Sequence, residues 1–331
     1  MSRWRAPLLA VAVLALALAA TVDALRGRAS SERADTRPRT ARDAAGDAAE
    51  RLRAAGIAGE LLYSDDECVI HRLVLPDLER EPGPRERSCS YTVSPGGMLS
   101  FGDEIAEAGG YDAARCRDGR IEWLLAHGTE DERPLVALRG CRPAWRPDGA
   151  LTFVRAGELR VGGPCARRDG RVEACSRVLL SRTDLRSALA RFSWIPAGGA
   201  RIGSVAWIDN RTVAVVVYGR DGDVAGNSLA VFRSRRLVGE PLGPFPTLER
   251  LRVSPRGRFV SVVAPSGVLV VDRLVRRLVR HEADALAIAW SPTERWVALA
   301  RPTEIEIAER VARRGGEPVR LPYGASDLFW R

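Results

Sequence analysis

The sequence predicts an all-β fold built from repeated sheets, and three observations carry that prediction. First, an apolar-x-apolar triplet runs into a turn six times. The segments are Tyr91-Thr92-Val93-Ser94-Pro95-Gly96, Pro143-Ala144-Trp145-Arg146-Pro147-Asp148-Gly149, Val205-Ala206-Trp207-Ile208-Asp209-Asn210, Leu251-Arg252-Val253-Ser254-Pro255-Arg256-Gly257, Ile288-Ala289-Trp290-Ser291-Pro292 and Leu328-Phe329-Trp330-Arg331. The third triplet residues, at 93, 145, 207, 253, 290 and 330, lie 52, 62, 46, 37 and 40 residues apart, a spacing that marks a repeat architecture. Second, each turn leads into short apolar runs paired about another turn. Phe259 to Val263 and Val268 to Val271 flank Pro265-Ser266-Gly267, while Trp296 to Ala300 and Glu304 to Ile307 flank Pro302. Leu151 to Val154 and Glu158 to Val161 form a third hairpin. Val213 to Tyr218 and Leu229 to Phe232 form a fourth, around a longer loop from Gly219 to Asn227. Third, the two ends complement each other. Ser326 to Trp330 is a first strand with no unit after it, and Glu60 to Ser64 with Cys68 to Leu75 is a unit lacking its first strand. Joined, they close a sixth unit and remove the open sheet edges, so the expected fold is a six-bladed β-propeller.

Along the chain, Met1-Ser2-Arg3-Trp4-Arg5 is a short basic region before an uncharged Leu/Ala/Val run from Ala6 to Val22. Asp23, Arg26 and Arg28 end it, the pattern of an export signal. Ala17-Leu18-Ala19 offers a cleavage site, whereas 17 uncharged residues reach the lower limit for spanning a bilayer. Residues 1–25 are therefore expected to be a signal peptide or a signal-anchor helix. Retention is preferred, with residues 6–22 in the cell membrane and the rest outside the cytoplasm; secretion after cleavage is the alternative. Residues 26–58 are Ala- and Arg-rich with no aromatic residue, and are expected to be a flexible linker. Within it, Asp47 to Ala55 reads as a marginal helix with Leu52 as its strong anchor. Residues 59–331 are the propeller, with an irregular connection expected at 183–200.

Six cysteines lie in the folded part, which suits disulfides in an oxidising compartment. Cys68 and Cys116 sit late in one repeat, and Cys89 and Cys141 just before the next triplet. Equivalent places imply equivalent bridges, Cys68–Cys89 and Cys116–Cys141, while Cys165 and Cys175 close a loop. There is no CxxC, and His71, His127 and His281 are scattered, so no zinc site is expected.

The Ser-Pro-x-Gly turns, together with Trp just before the turn in Ala289-Trp290-Ser291-Pro292 and Ala144-Trp145-Arg146-Pro147-Asp148-Gly149, resemble the WD-type repeats of TolB-like six-bladed propellers. The resemblance covers roughly residues 59–331. Two repeats depart from it: Ile208-Asp209-Asn210-Arg211 has neither Pro nor Gly, and Glu294 stands where Gly is usual. It implies the fold; the family spans periplasmic scaffolds and domains attached to peptidases.

The chemistry is sparse. Trp145, Trp207, Trp290 and Trp330 share one register, which reads as packing between blades rather than a ligand cavity. Asp221 to Asn227 resembles a calcium loop, but Ala225 and Phe232 stand at ligand places, so a hairpin is preferred. Ser64-Asp65-Asp66-Glu67 is an acidic turn read as a solvated connection. No Gly-x-Ser-x-Gly elbow, triad or phosphate-cradling loop is found, and no catalytic residue, metal or cofactor is expected. All the basic residues are arginine, and the net charge is +9. The arginines are interspersed with 42 acids, and runs such as Arg233/Arg235/Arg236 or Arg276/Arg277/Arg280 are short, so no nucleic-acid partner is expected.

The expected function is a non-enzymatic, membrane-tethered scaffold for a protein partner at the cell envelope. A sensor binding a small ligand or glycan in the central funnel is the alternative. An enzyme using groups gathered at the axis is a weaker third. The residues lining the axis discriminate: apolar plugging favours the scaffold, and clustered Asp, Glu, His or Arg favours a ligand or an enzyme.

Overall fold

The computed structural model describes residues 41–87, 91–93, 98–102, 120–125, 138–166, 172–195, 199–221, 224–245, 248, 250–310 and 317–331. The described residues form six antiparallel sheets. In chain order, β1 (Gly59–Ser64), β2 (Val69–Leu75) and β3 (Glu79–Arg87) precede β4 (Tyr91–Val93), β5 (Met98–Gly102), β6 (Arg120–Leu125) and β7 (Leu138–Arg139). Next come β8 (Cys141–Trp145), β9 (Leu151–Arg155), β10 (Glu158–Ala166) and β11 (Val172–Leu180). The following sheet has β12 (Arg201–Trp207), β13 (Thr212–Asp221), β14 (Val224–Arg233), β15 (Arg236–Leu237) and β16 (Leu242–Phe245). Two further sheets are β17 (Leu251–Val253), β18 (Phe259–Ala264), β19 (Gly267–Asp272), β20 (Arg277–Glu282), and β21 (Ala287–Trp290), β22 (Trp296–Ala300), β23 (Ile305–Glu309), β24 (Val319–Leu321). The last strand, β25 (Asp327–Trp330), joins the first sheet, in the order β25-β1-β2-β3. Among the described residues five propeller blades are found rather than the six expected, and the sheet of β4 to β7 is the least completely described. In the sheet of β4 to β7, residues 94–97, 103–119 and 126–137 lie outside the described residues.

First strands neighbour one another in the order β25, β4, β8, β12, β17, and β21 neighbours β25; β19 meets β21. The chain is a β-propeller. Each triplet residue singled out by the repeat, Val93, Trp145, Trp207, Val253, Trp290 and Trp330, is the last residue of a first strand.

Turn chemistry explains why those strands stop there. The Ser254 hydroxyl accepts from the Phe259 amide, and the Ser291 hydroxyl from the Trp296 amide, both at 3.0 Å. These side chains satisfy donors that the strand ladder has just left. In Ser254-Pro255-Arg256-Gly257 the Gly257 amide donates to the Ser254 carbonyl, and Gly257 takes φ +71. A Cβ there would also meet Ile208 at 2.6 Å, so Gly is required twice over. The repeat without Pro or Gly solves the problem differently: Asp209 Oδ1 accepts from the amides of Arg211 (2.7 Å) and Thr212 (2.8 Å). Central strands such as β18, buried at all six residues, fill the space between sheets. Each fully buried Val or Phe contributes about 1.5–3 kcal/mol.

Three expectations are corrected. Residues 41–58 are not a flexible linker: α1 (Ala41–Ala54) lies on the sheet of β21 to β24. Ala48, Ala49, Leu52 and Ile57 are buried with Leu75, Val319 and Leu321, and Arg51 donates to the Glu317 and Pro318 carbonyls, both at 3.1 Å. Composition concealed this because alanine side chains supply much of the buried face. The loop expected from Gly219 to Asn227 is strand instead, since β13 and β14 pair continuously to Asp221 opposite Val224. The irregular connection expected at 183–200 begins with α2 (Arg182–Leu189), started by a Ser181–Asp184 capping box and buried through Leu185 and Leu189.

Cys68, Cys141 and Cys175 are each disulfide-bonded. Cys89, Cys116 and the side chain of Cys165 lie outside the described residues, as do His127 and the expected anchor 6–22. Among the described residues no helix is long and apolar enough to cross a membrane.

Candidate functional site

The first strands enclose an axial cavity of about 190 Å³. Tyr91 to Val93, Arg142 to Trp145, Ser204 to Trp207, Arg250 to Val253 and Phe329 line it. It is not plugged by apolar side chains alone: Arg142, Arg250 and Arg252 come to it from two different sheets. Arg252 occupies the middle of its triplet, where the other repeats carry Thr92, Ala144, Ala206, Ala289 and Phe329.

Asp327, buried at 1% exposure, organises the wall. Arg252 Nη2 donates to both of its oxygens at 3.1 Å and also to the Tyr91 carbonyl at 3.0 Å. Arg250 Nη1 lies 3.2 Å from Asp327 Oδ2, while its Nη2 donates to the carbonyls of Leu286 (3.2 Å) and Ser326 (3.3 Å). The amides of Leu328 (2.9 Å) and Tyr91 (3.3 Å) complete the carboxylate's partners. One buried charge is thus surrounded by donors, the condition under which burying it is tolerable. Two guanidinium groups face this single carboxylate.

Two polar groups of lining residues have a different status. The Tyr91 hydroxyl and the Trp145 indole N–H are buried with no hydrogen-bond partner among the described residues. Leaving such a group unsatisfied costs about 1–3 kcal/mol, so each calls for an explanation. Burial, with the Asp327 charge adding to it, pushes the Tyr91 hydroxyl well above its ordinary pKa and keeps it a neutral donor.

The four tryptophans are not gathered into one site. Trp145 and Trp207 line the cavity. Trp145 also packs on Leu138, Leu151 and Phe153, and Trp207 donates to Thr152 Oγ1 of the preceding blade at 2.8 Å beneath the Arg146 guanidinium. Trp290 stacks on Phe259 of the preceding blade, centroids 5.6 Å apart. Trp330 donates to the Ala58 carbonyl at 3.4 Å.

The acidic turn uses its charge internally. Asp65 accepts from the Glu67 (3.0 Å) and Val69 (2.8 Å) amides and contacts His71 Nε2 at 2.6 Å. Burial opposes its ionisation, but His71 and the two amides hold its carboxyl below the usual range. The residues between Asp221 and Val224, and the side chains of the calcium-like loop up to Gly226, lie outside the described residues. Among the described residues no three His, Cys, Asp or Glu gather as a metal site.

A second surface stands out at the rim. Leu274, Val275, Leu278 and Val279 are 65, 55, 56 and 51% exposed on and beside β20, the outermost strand of its blade, with Arg276 and Arg277 among them. Other outer edges are treated differently. α1 lies against β24, and Pro82 and Pro84 interrupt the donors of β3.

Sequence reasoning missed Tyr91, Arg142, Arg250, Arg252 and Asp327 as site residues. The available signal was the departure of Arg252 from the uncharged residues that fill the same triplet place elsewhere.

No known protein family matches the chain, and no curated protein matches its sequence. Solved structures do. The chain is similar to the β-propeller domain of Cps50 (Swd1) from Myceliophteria thermophila, at 13% identity and TM-score 0.46, over 82% of this chain and 86% of that one. It is similar to a protein from Lactobacillus plantarum at 12% identity and TM-score 0.47, over 83% and 100% of the two chains. A functionally unknown protein from Desulfotomaculum acetoxidans matches at 11% identity and TM-score 0.44, over 82% and 99%.

Proposed function

We propose that this chain is a non-enzymatic binding propeller of the cell envelope whose axial cavity receives a small ligand. In this reading six blades of TolB-like repeats close the ring, and residues 6–22 hold it outside the cytoplasm. The observation that carries it is the convergence of Arg142, Arg250 and Arg252 on the axis, where a plain scaffold needs only apolar filling. A thermal-shift screen of small carboxylates, phosphates and sugars tests it. Ligand at a hundredfold excess over its Kd stabilises the folded ring by about 2.7 kcal/mol, a clear rise in Tm. No rise with any compound, together with no co-purifying small molecule by native mass spectrometry, rejects the reading.

The scaffold reading for a protein partner is favoured by a different observation, the exposed Leu274, Val275, Leu278 and Val279 with their arginines. Such an apolar, cationic strip at an outer strand fits an acidic, strand-forming segment. Photo-crosslinking residues at 275 and 279 should capture one partner repeatedly, and the same residues at 211 should not. Equal yields from all three positions count against it.

N-terminal sequencing of the mature protein decides between the retained anchor and secretion. A start at Ala20 is the result expected of cleavage.

A further inference from the structure

We infer that a second site, the cleft between the sheet of β8 to β11 and the sheet of β12 to β16, binds a small amphipathic anion. Its ligand is a compact apolar body carrying a carboxylate or a phosphate. The inference does not depend on the axial cavity being a binding site. The cleft has a volume of about 290 Å³. Val178, Leu179 and Trp207, each partly exposed, give it apolar surface, and the buried Leu159 and Phe232 also line it. Arg177, Asn210, Arg211 and Ser234 line it too, and all four are exposed. Among the described residues neither the Arg177 nor the Arg211 guanidinium has a hydrogen-bond or ion-pair partner, and no acid lines the cleft. Arg146 is not available in the same way, because Asp148 holds it at 2.6 Å over the Trp207 ring. Two accessible guanidinium groups beside apolar surface are complemented by an anion with an apolar body. The planar fork of each matches a carboxylate or phosphate with two parallel hydrogen bonds.

Both turns at the cleft carry residues that their geometry does not ask for. Counted from the strand end, Arg211 stands where two other repeats carry Gly149 and Gly257. The Asp209 carboxylate holds that turn by accepting from the Arg211 and Thr212 amides, so the Arg211 side chain leaves a fixed backbone. Ser234 and Arg235 make the two-residue turn between β14 and β15 at φ 46 and 72, where Asn or Gly is favoured. From there Arg235 donates to the carbonyls of Leu179 (3.0 Å) and Val178 (3.4 Å). These carbonyls belong to β11, the outermost strand of its sheet. With those acceptors taken, the edge is closed to an added peptide strand at this point. The volume lies near the lower end of the ~300–1,000 Å³ of small-molecule pockets, which also favours a small ligand over a peptide.

The experiment is calorimetric titration of the full chain in detergent at constant ionic strength. The probes are phenylacetate and phenyl phosphate, with acetate lacking the apolar body and phenylacetamide lacking the charge. At least one of the two aryl anions is expected to bind, and acetate and phenylacetamide should each bind about tenfold more weakly or worse. Preference between the aryl anions separates a carboxylate source from a phosphate source. Arg177→Gln and Arg211→Gln should each weaken the aryl anion about tenfold. Both arginines are exposed, so unliganded melting curves should match the parent and show both variants folded. A loss in one variant alone supports the site with that arginine as its anion partner. Acetate or phenylacetamide binding as tightly as the aryl anions overturns the amphipathic class. Undiminished affinity in both variants places the binding elsewhere and overturns the inference. If none of the four probes binds, the inference fails and the axial reading is untouched.

Discussion

The Arg252 guanidinium lies 3.1 Å from both carboxylate oxygens of Asp327, joining strand β17 to the strand that closes the ring. Removing one partner of a buried pair leaves the other uncompensated, at a cost of about 3–5 kcal/mol. Arg252→Met should therefore lower the urea midpoint strongly, while Arg252→Met with Asp327→Leu should recover much of the loss. Equal losses in the single and double variants would show that the pair is not coupled.

Glu294 sits where other repeats place Gly, at φ +59, with 2% exposure. Its carboxylate accepts from the Arg256 amide of the preceding blade at 2.7 Å and pairs with Arg310 at 3.3 Å. Those bonds hold a side chain in a backbone region that is costly for a non-glycine residue. Glu294→Ala loses the bonds and keeps the strain, whereas Glu294→Gly loses the bonds and relieves it. Chemical unfolding should rank Gly above Ala by about 1 kcal/mol, with both below the parent. The reverse order would refute the argument.

Acid should weaken the fold in a predictable window. Burial alone would raise the Asp272 carboxyl, but Arg258 at 2.7 Å and the Leu274 and Val275 amides hold it below the usual range. A carboxyl lowered by folding contributes stability that is full above its unfolded value, about 3.9, and is lost as pH falls through its folded value. Asp65, Asp209 and Glu60 are shifted the same way. Tm should hold from neutral pH to near 5 and fall below about 4, and Asp272→Asn should flatten that fall. An identical acid limb in parent and variant would remove Asp272 from the account.

Non-reducing peptide mapping should recover Cys68–Cys89, Cys116–Cys141 and Cys165–Cys175. Loss of any one bridge should cost about 2–4 kcal/mol. A different set of pairs would disprove the equivalence drawn from the repeats.

Deleting residues 323–331 removes β25, with its Leu61–Trp330 to Ser64–Asp327 pairing and the Asp327 carboxylate. The truncated chain should melt far below the parent by circular dichroism. An unchanged melting curve would sink the closure by β25.

The fold was legible because its determinants are local. A triplet running into a turn is recorded within seven residues, and all six marked first-strand ends. The sequence was silent where partners are distant. Arg252 meets a carboxylate 75 positions away, and nothing near either residue announces the other. The Leu52 face was underestimated because buried Ala48 and Ala49 look like any alanine. By contrast the Ser181–Asp184 capping box is local, but it lies in a stretch with no repeat motif to mark it as an element. The tryptophan register was visible, but that Trp145 and Trp207 face the cavity while Trp290 lies within a seam depends on blade geometry, which no spacing encodes.

The seam between β1 and β25 joins residues more than 260 positions apart. Among the described residues every other sheet pairs strands that are close in the chain, whereas this seam waits on a loop spanning the ring. Its contacts are rewarded late in folding, after the entropy of that loop has been spent. Changes at Leu61, Asp327 or Trp330 should thus act mainly on how fast the ring comes open and little on how fast it forms.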